Sequence, residues 1–189
     1  MKNRIKSYHK RFIDLINAIE VTAKDGKSLD FYAGIELACS VIKKKSSAGG
    51  KVFFIGNGGS AAIASHMAID FWKNIGIEAF AFSDSALLTC ISNDFGYDYV
   101  FAKPVEFFAS KKDVLVSISS SGKSENILKA ARSAEAKGVS LITLSGFAKD
   151  NPLRFQGICN FYVPASEYGL VEVGHQYVCH YIADMLMQK

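Results

Sequence analysis

The chain reads as an α/β protein built in three layers, a parallel sheet with helices on both faces. Two observations carry this reading. From Lys51 onward, short apolar runs alternate with segments of helical periodicity, the pattern of strand–helix–strand units in a parallel sheet. Each apolar run is rich in Val, Ile, Leu or Phe and is followed by Gly, Ser or Pro, as strands are. A third observation adds helices ahead of this core: two N-terminal segments repeat apolar residues at helical spacing.

The elements follow in order. Residues 3–24 place Ile5, Tyr8, Phe12, Leu15, Ile16 and Ile19 on one helical face. A second helix is expected over about Asp30–Lys45, through Ala33, Leu37, Ala38, Val41 and Ile42, and Gly49-Gly50 stops it. The strands are Val52–Ile55, Ile77–Phe82, Val114–Ile118, Leu141–Leu144 and Ile158–Val163. Helical patterns cover Ala86–Ile91, Asn126–Lys137 and about Val171–Met187, and Pro104 belongs at or near a helix start. A length of 189 residues fits one domain, with 1–48 as a helical N-terminal part and 49–189 as the α/β core. In such sheets ligands bind at the carboxyl ends of the strands.

Composition narrows the function. A net charge of +4, with Lys and Arg scattered, requires no nucleic-acid partner and suits an anionic substrate. Hydrophobic content of 49% is high for a soluble chain and points to surface buried between subunits. Cys39, Cys90, Cys159 and Cys179 form no CxxC pair and lie in or beside apolar runs. Buried thiols in a reducing compartment are expected. The N-terminus MKNRIKSYHK is charged and no stretch approaches the length of a membrane span. The expectation is a cytoplasmic protein with no membrane partner.

The most telling segment is SISSSGKSEN, residues 117–126. It joins a strand to a helix and gathers Ser119, Ser120, Ser121 and Ser124 around Gly122. A helix N-terminus offers unpaired N–H groups and partial positive charge, which suit a phosphate. Gly122-Lys123-Ser124 looks like the end of a nucleotide P-loop, but that motif needs glycine where Ser117 stands. Serines also cap helices, yet four around one turn favour a phosphorylated small molecule. The first strand ends in Gly56-Asn57-Gly58-Gly59-Ser60, which with Ala61 fits a loose dinucleotide fingerprint. The ribose-binding acid has no clear candidate, since Glu78 falls inside the second strand and Asp84 lies late, so another ligand is expected there.

Two helices hold most of the remaining chemistry. His66 and Asp70 are four apart and share a face, able to bind a divalent metal or to act in acid–base catalysis. In the last helix Glu172 and His175 are three apart, and Glu172 and His180 differ in direction by about 80°. All three would point to one side. Asn93-Asp94, after a short helix, could bind sugar hydroxyls or merely make a turn.

Together these strings resemble the sugar isomerase (SIS) family, and within it the phosphoheptose isomerases. The matching segments are GNGGSAA at 56–62, SHMAID at 65–70, SNDFGY at 92–97, ISSSGKS at 118–124 and EVGHQYVCH at 172–180. The resemblance implies a flavodoxin-like SIS domain. It also implies a homotetramer with the N-terminal helices in the central contact and active sites between subunits. It assigns the sugar phosphate to Ser119, Ser120, Ser121 and Ser124, further substrate contacts to Asn57, Gly58, Gly59, Ser60 and Glu172, and sugar hydroxyls to Asn93 and Asp94. It assigns one Zn²⁺ to His66, Asp70, Glu172 and His180, and catalysis to Glu172, His180 and Asp70.

Where this chain has Asp70 and Glu172, the well-studied enzymes carry Glu and Gln. An arginine usual near the second strand has Lys73 as its nearest basic counterpart. The activity implied is isomerisation of sedoheptulose 7-phosphate to D-glycero-D-manno-heptose 7-phosphate, opening nucleotide-activated heptose synthesis. Either Glu172 or Asp70 would be the base. Another ketose phosphate, or a sugar-phosphate-binding regulator without catalysis, stays open.

Overall fold

The computed structural model describes residues 1–187. A seven-stranded sheet forms the middle layer, in the order β2-β1-β7-β6-β5-β3-β4. Five strands are those expected: β3 (Val52–Gly56), β4 (Ala79–Ala81), β5 (Val114–Ser119), β6 (Ser140–Ser145) and β7 (Cys159–Tyr162). They pair in parallel. Both faces of the central strands are covered, so β3 and β5 are buried at every position. Alternate residues supply two cores. Val52, Phe54, Val116, Ile118 and Ile142 join one, with α2 (Phe31–Ser47), α3 (Gly59–Asp70) and α7 (Tyr168–Met187). Phe53, Ile55, Leu115 and Leu141 join the other, with α5 (Ala102–Phe108) and α6 (Glu125–Ala136). Pro104 sits in the first turn of α5, where a missing N–H costs nothing.

The N-terminal part departs from the expectation. The helix expected over 3–24 ends at Asn17, as α1 (Lys2–Asn17). Residues Glu20–Ala23 form β1 and Ser28–Leu29 form β2, joined through Asp25-Gly26 with Gly26 in the left-handed region. β1 runs antiparallel to β7, making the sheet mixed. Helical spacing up to Ile19 masked a β-branched Val21-Thr22 pair followed by an Asp-Gly turn signal. Val21 is buried in the main core, so the segment 1–48 is not purely helical and adds two strands to the domain's sheet. Ile5, Tyr8 and Ile13 of α1 are exposed.

The cysteine expectation holds for three of four. Cys39, Cys159 and Cys179 are buried, and Cys90 is exposed. It lies on α4 (Ser85–Phe95), a helix capped by Asp84 with no fully buried residue. Burial pushes the Cys159 and Cys179 thiols up to about 12. No helix among the described residues is long and apolar enough to cross a membrane.

Candidate active site

The glycine loop and the serine turn lie side by side because β3 and β5 are neighbours, pairing Gly56 with Ile118. After Gly56 the chain turns through Gly58, at φ +55°, into α3. A side chain at Gly59 would collide with Glu172, whose carboxylate atoms lie 2.4 Å from where a Cβ would stand. Glycine here admits the carboxylate of α7 to the positive end of α3.

The serine turn does not spend its hydroxyls on capping. Ser124 is the N-cap of α6, yet its side chain makes no cap hydrogen bond. Ser119 Oγ accepts from Gly122 N–H at 3.2 Å, and Ser121 Oγ from Lys123 N–H at 3.2 Å. Ser120 Oγ is buried without a partner. A buried hydroxyl without a hydrogen bond is costly, and a bound oxyanion would satisfy it. The four serines, Asn57, Ser60, Tyr168 and Glu172 line a cleft of about 110 Å³. It lies at the carboxyl ends of the strands and at the N-termini of α3 and α6.

Reciprocal amide bonds between Asn57 and Asn126, each 2.9 Å, tie the two loops together, and Tyr97 donates to Asn57 Oδ1 at 3.0 Å. Asn126, Tyr97 and Tyr168 escaped the sequence reading. An Asn two residues beyond the serine turn was the available signal for the first. The aromatic residues had none.

Farther along α3 and α7, His66, Asp70 and His180 converge. His66 Nε2 lies 3.3 Å and His180 Nδ1 3.7 Å from Asp70 Oδ2. One ligand atom from each lies within 4.8 Å of the others. Asp70 ends α3 where a π-helical turn, Phe71–Ile75, begins, and Asn74 donates to its Oδ1 at 3.1 Å. Two imidazoles and a carboxylate with one open side are a donor set suited to Zn²⁺.

One expectation is revised, the shared face of Glu172, His175 and His180. Glu172 lies about two turns N-terminal to His180 on α7, with its carboxylate against Gly59 and the serine cleft. His175 does not share the face of Glu172 and His180. It is fully buried, with Nε2 3.0 Å from the Ser145 carbonyl oxygen. Burial pushes it down to about 4, so it is neutral at neutral pH. Asn93 and Asp94 sit in the last turn of α4, exposed and bonded to each other at 2.9 Å, and do not line the cleft.

This arrangement sets a cleft of serine hydroxyls and helix N-termini on the same helix pair as a cluster of two imidazoles and a carboxylate. The family model that matches is the SIS domain, over residues 12–146. A phosphoheptose isomerase of Vibrio cholerae is 36% identical over 184 residues, covering 93% of this chain and 95% of that enzyme. One from Yersinia pestis is 44% identical over 128 residues, a match spanning 65% of each chain. The structure of the phosphoheptose isomerase from Neisseria gonorrhoeae superposes with a TM-score of 0.84 at 26% identity, covering 98% of this chain and 97% of that one. The chain belongs to the SIS-domain family, and within that family to the group of the phosphoheptose isomerases.

Proposed function

We propose that the protein is an aldose–ketose isomerase converting sedoheptulose 7-phosphate to D-glycero-D-manno-heptose 7-phosphate. The observation that carries this is the placement of the serine cleft with Glu172 and of the His66–Asp70–His180 cluster on the one helix pair α3 and α7. The phosphate sits on the serine hydroxyls and the N–H groups opening α6. The sugar chain then runs from the cleft toward His180.

Isomerisation moves one proton between carbons and one between oxygens. A carboxylate takes the proton from C1 of the ketose, the electron pair forms the enediol, and C2 is reprotonated. Glu172 is the base favoured here, because it faces the cleft while Asp70 is engaged by two imidazoles. His180 moves the proton at the oxygens when it is not serving as a metal ligand. Each positioned acid–base group contributes about 10²–10⁴-fold in rate.

His66, Asp70 and His180 would hold Zn²⁺, with Glu172, two turns back on α7, serving the reaction rather than the metal. Bound there, Zn²⁺ supplies Lewis-acid polarisation of the sugar carbonyl. The protein is further proposed to be a cytoplasmic homotetramer, in which the exposed apolar face of α1 is covered.

The test is an isomerisation assay on sedoheptulose 7-phosphate with wild type, His180→Ala and Ser121→Ala. Turnover lost by about 10²-fold or more in His180→Ala, with KM raised in Ser121→Ala, supports the reading. No turnover, with a different ketose phosphate raising the melting temperature, replaces the substrate.

A further inference from the structure

The connection between β6 and β7, residues 146–158, is not helical as an α/β crossover usually is. It carries only a short 3₁₀ turn, Pro152–Phe155. That turn is held on a buried polar face of the sheet. Ser117, Thr143, Asn160 and Thr22 are cross-strand neighbours on it. Asn160 donates to Thr143 Oγ1 at 2.8 Å, and Arg154 reaches Thr22 Oγ1 at 3.3 Å and Glu20 at 2.6 Å. A connection pinned this firmly can support something else.

What it supports is Gly122, the centre of the serine turn. Asn151 is fully buried. Its Nδ2 donates to Ser145 Oγ at 3.2 Å, Gly146 O at 3.3 Å and Ala148 O at 2.8 Å, and its Oδ1 accepts from Arg154 N–H at 3.0 Å. So fixed, the carboxamide lies against Gly122: a Cβ on that residue would be 1.9 Å from Asn151 Oδ1. Leu153 N–H donates to the Gly122 carbonyl at 3.2 Å. Gly122 is in the left-handed region at φ +62°, a conformation a free chain leaves readily.

We propose that Asn151 is a positioning residue for the serine turn, holding Gly122 so that the serine hydroxyls and the N–H groups of α6 face the phosphate. This rests on the sugar-phosphate reading above. Asn151 touches no substrate; it acts through Gly122 on binding, not on proton transfer. Preorganised donors bind without first paying for their own ordering.

The test compares wild type, Asn151→Ala, Ser121→Ala and their double variant. KM and kcat are measured for the ketose phosphate, and Kd for inorganic phosphate, beside melting curves. Asn151→Ala should raise KM and phosphate Kd about tenfold, the equivalent of one lost hydrogen bond to a charged group. It should leave kcat within about threefold. The double variant should be less than additive, since both changes act on one turn.

If Ser121→Ala weakens phosphate binding while Asn151→Ala leaves KM and Kd unchanged, the proposal is overturned and the reading of the turn survives. If Ser121→Ala has no effect either, the reading of the turn fails, and the proposal with it. Should Asn151→Ala not fold, Ser145→Ala removes one of the bonds fixing the carboxamide without touching the turn. A rise of two- to threefold in KM is then expected, and an unchanged KM overturns the proposal.

Discussion

Gly59→Ala separates the position of the Glu172 carboxylate from the stability of the fold. Gly59 is the first residue of α3 and has ordinary helical backbone. Alanine is favoured there by up to about 1 kcal/mol in helix propensity. The added methyl would lie 2.4 Å from the Glu172 carboxylate, well inside contact distance. The obstacle is the end of a flexible, half-buried side chain, so the carboxylate swings aside at little cost. Stability should therefore change by no more than about 1 kcal/mol in either direction. Activity should fall far more. Misplacing a reacting group by about 1 Å costs about 10²-fold, and loss of a positioned base about 10²–10⁴-fold. The assay pairs thermal melting with kcat on the ketose phosphate. A variant that melts like wild type and turns over like wild type refutes the placement of Glu172 as base.

Further outcomes follow from the same geometry. Zn²⁺ should raise the melting temperature of the wild type, by about 2.7 kcal/mol of stability at a hundredfold excess over Kd; His66→Ala should abolish the shift, and an equal shift in both would remove the metal from this cluster. His175 is held neutral by burial, with its folded value near 4 against 6.5. The unfolded chain therefore binds the extra proton first, and stability should be lost as pH falls from about 6.5 toward 4. His175→Leu should flatten that part of the melting-temperature profile, and an unchanged slope would show that the imidazole is not sealed in the core. Cys90 should be the one thiol of four to react quickly with an aromatic disulfide under native conditions, and Cys90→Ala should remove that reaction; fast labelling that persists would mean another thiol is accessible.

What could be read from sequence was chemistry held within a few consecutive residues. The serine turn and the glycine loop each lie within about ten residues, and strand flanks on both sides oriented them. The pair His66 and Asp70 follows from helix geometry alone. His180 joins them only because α3 and α7 pack in parallel, which the two segments taken singly do not state. His175 is three residues from Glu172, and spacing placed them together; burial against Ser145 parts them. Asn151 is legible only in three dimensions, since its effect on Gly122 spans 29 positions of chain and depends on the pairing of β5 with β6. Strand β1 was hidden because an amphipathic helix precedes it with no glycine or proline between them.

The most direct test of the central claim is conversion of sedoheptulose 7-phosphate in D₂O, followed by nuclear magnetic resonance. Proton transfer through an enediol by a carboxylate open to solvent predicts an aldose product carrying deuterium at C2, with recovered ketose labelled at C1. No conversion, or a product formed with no deuterium at C2, would contradict a solvent-exchanging carboxylate base in the cleft at the N-termini of α3 and α6.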